Sequence, residues 1–225
     1  MFSNSNGGFL MKKLFLIILI LSSFALPSFA IECESSGECY VIGKTMIMQK
    51  EYENAVKCFD MAISMDSEDA YLYAYRAKAN FYLKKFDSMI EDTTKSIEIY
   101  PNDRAYGLRG SAKLALGDNE GAIEDTTEAL KLNPFYMKCY EVRARAEVNI
   151  EDYIEALKDI SKAIKLKDDY AKSYEVLAYA QMGIKDYRSA VESFEKSAAL
   201  FKKDKDKQNY KEMQQKIKYC KRLIK

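Results

Sequence analysis

Between Asp118 and Pro134 the chain reads DNEGAIEDTTEALKLNP, and this pattern organises everything after residue 36. Ala122, Ile123, Ala129, Leu130 and Leu132 are apolar or small and are separated by charged residues at a helical rather than a strand period. Asn119 is placed to cap the helix and Pro134 to stop it. The same pattern returns from Lys50, Lys84, Glu151 and Lys185, and the column Ala55, Met89, Ala122, Ala156, Ala190 advances by 34, 33, 34 and 34 residues. A fixed period of this length predicts stacked supersecondary units, each a pair of helices too small to bury its own apolar face.

Further columns keep the same register. Gly43, Ala77, Gly110, Ala144 and Ala178 mark the first helix of each pair, and Ala62, Ser96, Ala129, Ala163 and Ser197 the second. Small residues at these places predict close helix crossings. Phe59 and Phe194 fill the outer units, Tyr52, Phe86, Tyr153 and Tyr187 open the second helices, and Tyr73, Tyr106, Tyr140 and Tyr174 recur in the first. A tyrosine stripe at this spacing is core. In units two to four an arginine precedes the small column, Arg76, Arg109 and Arg143, and an acid follows in the second helix, Asp92, Asp125 and Asp159. Units one and five lack both members, with Ile42 and Cys58, and Leu177 and Ser193. Joint presence and joint absence predict a structural pair inside each unit, because a buried charge needs its partner. Beyond Lys205, Tyr210, Met213, Ile217, Cys220 and Ile224 form one stripe, suited to covering the open end of a stack.

These columns resemble the tetratricopeptide repeat, whose signature of about 34 residues places aromatic, small and proline positions in this order. The resemblance covers five units, 36–69, 70–102, 103–136, 137–170 and 171–202, after an extension at 31–35 and before a basic capping helix at 203–225. It departs where Cys39 stands in the opening aromatic column, Met89 replaces an alanine, and only Pro101 and Pro134 fill the closing proline column. It implies an all-α, right-handed α-solenoid of helix-turn-helix repeats whose first helices line a concave groove for a protein or peptide partner. The residues it points into that groove are Lys44, Tyr71, Tyr75, Lys78, Arg104, Lys138, Arg145, Lys172 and Tyr179, with Glu141 and Glu175 facing them. So basic a set predicts an acidic partner segment, since cations gathered on one concave surface focus positive potential. The lysine, asparagine and arginine set with which family members clamp the terminal carboxylate of cytosolic chaperones is not found here.

The N-terminus changes the setting. Lys12 and Lys13 precede the apolar run Leu14 to Leu26, which is short for a bilayer span of about 20 residues, and Ser28-Phe29-Ala30 supplies small residues. This predicts a secretory signal over residues 1–30, cleaved after Ala30, with an uncleaved membrane anchor as the alternative, and a periplasmic or secreted protein. Residues 202–225 hold ten lysines or arginines against three carboxylates, leaving 23 basic against 31 acidic residues over 31–201. The acidic body argues against nucleic acid. The basic end raises an alternative: a membrane-surface adaptor, or a self-assembling structural protein, working through the C-terminal helix. Five cysteines at 33, 39, 58, 139 and 220 lie where disulfides are allowed, and a bridge among the first three would staple the first unit. With no histidine in the chain there is no Ser/His or Cys/His couple, and neither catalytic residues nor a metal or other cofactor is expected.

Overall fold

The computed structural model describes residues 33–224; the expected signal over 1–30 and residues 31 and 32 of the extension lie outside them. Among the described residues there are eleven helices and no strands. They run α1 Ser36–Met48, α2 Tyr52–Met65, α3 Ala70–Tyr82, α4 Phe86–Ile99, α5 Asp103–Leu116, α6 Asn119–Leu132, α7 Met137–Asn149, α8 Tyr153–Leu166, α9 Ala171–Gly183, α10 Tyr187–Lys203 and α11 Lys207–Leu223. Odd and even helices pair as five repeats, and α11 packs on α10. Successive odd helices touch one another along the array, whereas each even helix packs chiefly against the odd helices on either side of it. The odd helices therefore form the inner surface of an α-solenoid.

The small columns explain the packing. Every residue of the three columns is buried. A Cβ on Gly43 would lie 2.7 Å from Cζ of Phe59, and one on Gly110 2.8 Å from Cγ2 of Thr126, so helix pairs one and three close only around glycine. Met89, which breaks its alanine column, is fully buried beside Ala77 and Ala112. The serines are satisfied: Ser96 Oγ donates to the Ala70 carbonyl at 2.8 Å and Ser197 Oγ to that of Ala171 at 2.9 Å. A buried hydroxyl without such a partner would cost about 1–3 kcal/mol.

Each odd-to-even turn closes the same way. Lys50, Lys84, Gly117, Glu151 and Lys185 adopt left-handed backbone, with φ of 57–87°. The amide two residues past each helix end reaches back to a carbonyl of its last turn, as from Asp118 to Lys113 at 2.9 Å. Asp118, not Asn119, caps α6 by accepting from the Gly121 amide, and Asp152, Asp186 and Asp206 cap the later helices likewise. Lys205 repeats the left-handed turn, so α10 continues through Lys203 and the terminal helix starts at Lys207 rather than at residue 203. At the other end Cys33 and Cys39 are bridged, with Cα atoms 5.4 Å apart, while Cys58, Cys139 and Cys220 are buried thiols.

Candidate peptide-binding groove

The arginine–aspartate pairs lie between helices rather than in the groove. Arg109 Nε and Nη2 donate to Asp125 at 2.9 and 2.7 Å, and Arg76 with Asp92 and Arg143 with Asp159 repeat this two-point geometry. Bonding to Asp125 raises the Arg109 pKa above its ordinary value. The remaining Nη1 of each arginine reaches back to the preceding repeat: to Asp60 at 2.7 Å, Thr94 at 3.2 Å and Thr127 at 2.9 Å. One guanidinium thus joins three successive helices.

The nine expected groove residues separate into two groups and one outlier. Lys44, Lys78 and Arg104 converge on Tyr75, with charge centres 5.5, 6.0 and 4.8 Å from its ring centroid. Tyr40 meets the same ring edge-on at 5.1 Å and also lies 4.8 Å beneath Lys44. Burial would raise the Tyr75 hydroxyl, but hydrogen bonds from Tyr40 and Arg104 bring it below its ordinary pKa. Tyr40, half-buried and bonded to Tyr75, is pushed up to about 12, chiefly by that burial. Lys44, Lys78 and Arg104 have no carboxylate within ion-pairing distance among the described residues.

Lys138, Arg145, Lys172 and Tyr179 form the second group, lining a cavity of about 470 Å³ with Glu141 on its floor. The Glu141 side chain is 2% exposed; it pairs with Lys138 and, at 3.3 Å, with Arg145. Arg145 also lies 3.9 Å from Glu175, whose pKa burial raises. Two of the cations expected to face a ligand are therefore already engaged, whereas the three around Tyr75 are not. Tyr71 lines neither group; it stands 50% exposed at the start of α3.

A model of the tetratricopeptide repeat matches residues 103–136 and 171–204. The chain is 33% identical over 93 residues, 41% of its length, to a STIP1 homolog of Dictyostelium discoideum. It is 34% identical over 91 residues, 40% of its length, to a TPR repeat-containing protein of Methanocaldococcus jannaschii. Each match spans 16% of the relative's own length. A thermophilic TPR protein of Thermus thermophilus shares the fold with a TM-score of 0.67 at 17% identity, over 81% of this chain and 99% of that one. MamA of Desulfovibrio magneticus does so with 0.65 at 16%, over 77% and 98%.

The chain carries tetratricopeptide repeats. Proteins of this family are in general protein-interaction scaffolds, typically without catalysis of their own. Tyr40 escapes the sequence reading of this tetratricopeptide groove, and Glu141, expected to face the cations, holds two of them. Tyr40 belongs to the basic cluster, and its signal was its place four residues before Lys44, one helical turn away. Glu141 neutralises its neighbours from three residues after Lys138 and four before Arg145, a spacing that predicts both contacts. Another buried group, Glu147, faces Asp159 across the α7–α8 interface and has an Oε2 with no hydrogen-bond partner among the described residues.

Proposed function

We propose that this is an exported scaffold that holds an acidic segment of a partner protein against α1, α3 and α5. The observation that carries the reading is the convergence of Lys44, Lys78 and Arg104 on Tyr75, with no carboxylate within ion-pairing distance of them among the described residues. Three cations within reach of one ring, on a body otherwise acidic, focus positive potential where a ligand carboxylate would sit. The Tyr40 and Tyr75 rings add amphipathic contact area of the kind enriched in binding hot spots. Export is supported by the segment from Lys12 to Ala30 and by the Cys33–Cys39 bridge, a bond that persists in oxidising compartments.

Fluorescence anisotropy with a labelled, blocked hexaglutamate peptide tests the reading. Binding should weaken as salt rises through about 0.1 M, where the screening length is about 10 Å. Changing Lys44, Lys78 and Arg104 together to glutamate should abolish it with the helical circular dichroism unchanged. Changing Lys211, Lys218 and Lys221 on α11 should leave it intact. The reverse outcome would favour the membrane-adaptor reading, since those lysines stand on the exposed side of the terminal helix.

A further inference from the structure

At three places along the array a residue in the last turn of an odd helix meets the residue opening the even helix of the preceding repeat. Tyr82 stacks face to face on Tyr52, with centroids 4.5 Å apart and 12° between the planes. Asn149 donates to Asn119 at 2.9 Å. The third place pairs Gly183 with Tyr153, whose ring lies so close that a Cβ on Gly183 would be 2.2 Å from it. Gly183 offers Tyr153 no ring to stack on, and a cleft of about 330 Å³ opens there, walled by Tyr179, Met182, Tyr187 and, from α11, Tyr219.

We propose that this cleft takes one aromatic side chain of the bound partner segment, stacked as Tyr82 stacks in the second repeat. The inference rests on the groove reading for its peptide ligand and adds what that ligand carries. Four tyrosines and a methionine favour a planar, polarisable guest over an aliphatic one, through offset stacking, edge-to-face contact and sulfur–ring contact. Tyr219 is 51% exposed and lies off the buried stripe of Met213, Ile217 and Cys220 that holds α11 in place, so its ring is free to face a guest. The cleft shares Val148 and Tyr179 with the charged cavity, so a segment anchored here continues past Lys172. Lys216 lies 5.1 Å from the Tyr179 ring centroid. Glu175 and Glu212 act on the same tyrosine, so Lys216 already faces two carboxylates there and the ring supplies the selectivity.

The protein has no tryptophan, which makes an indole guest its own reporter. Blocked pentapeptides with tryptophan, leucine or alanine between paired glutamates should bind in that order. The tryptophan peptide should be about tenfold tighter than the alanine one and blue-shifted in emission. Tyr219→Ala should bring the three together. Three peptides binding within about twofold of one another, no binding of any, or a tryptophan preference that survives Tyr219→Ala would each overturn the proposal. A tryptophan peptide flanked by serines separates it from the groove reading. If that peptide binds in the cleft while hexaglutamate does not bind, the acidic-segment reading falls and this one stands. Hexaglutamate binding without any ring preference has the opposite meaning.

Discussion

Glu147→Gln should stabilise the protein at pH 8 and have much less effect at pH 4. Glu147 is 7% exposed and occupies a repeat position where other units place a group able to serve the column acid: Asn80 donates to Asp92 at 3.2 Å and Lys113 lies 2.9 Å from Asp125. In the fourth repeat a carboxylate stands there instead. Arg143 gives both of its bonds in this unit to Asp159 and lies 4.0 Å from Glu147. Burial, and then the Asp159 charge, push the Glu147 pKa up to about 7 from an ordinary 4.5. Because the folded state holds this proton more tightly, stability is highest below about pH 4.5 and falls as pH rises through about 7. At about 1.4 kcal/mol per pKa unit, the loss above pH 8 is about 3 kcal/mol. Glutamine removes that loss, and its amide can donate to Asp159 as Asn80 does to Asp92. Thermal melts followed by circular dichroism from pH 4 to pH 8.5 should show the variant gaining about 6–12 °C at the alkaline end. A gain independent of pH, or none, would refute the reasoning.

The arginine clamps should be non-additive: Arg109→Leu should cost more than the same change with Asp125→Ser, which copies the fifth repeat, and a double-mutant cycle measures the coupling. Arg143→Leu should cost more than Arg109→Leu, towards about 3–5 kcal/mol, because it leaves Asp159 and Glu147 together with only the exposed Lys162 at 3.7 Å, while Asp125 keeps the more buried Lys113 at 2.9 Å; chemical denaturation ranks the two. Lys84→Gly and Lys185→Gly should each stabilise by about 0.5–1 kcal/mol, and Gly117→Ala should cost about 1–2, since non-glycine residues are strained in left-handed turns. Thermal midpoints of the three variants check the sign.

The solenoid was legible because its constraints fall on single positions. Two helices cannot approach around a large side chain, so Gly43, Ala55, Ala62 and their equivalents carry the fold in residue size alone. The arginine–aspartate clamps were legible by comparing units, but their third arm was not: Asp60, Thr94 and Thr127 differ in charge and share only an oxygen. The left-handed turns were hidden for a similar reason, since only Gly117 advertises one and lysine or glutamate occupies the rest. The division of the groove needed pairwise geometry. A column of cations reads as one positive stripe until Glu141 is seen to hold Lys138 and Arg145 at once. Tyr219 gave no signal at all, because it lies off the stripe that buries α11.

The central claim is that an acidic segment seats on α1, α3 and α5 around Tyr75. Titrating the isotope-labelled protein with hexaglutamate while following amide and tyrosine ring resonances tests it most directly. The account predicts saturating shifts at Tyr40, Lys44, Tyr75, Lys78 and Arg104, with α11 unmoved. Shifts concentrated on Lys211, Lys218 and Lys221, with Tyr75 unchanged, would contradict it.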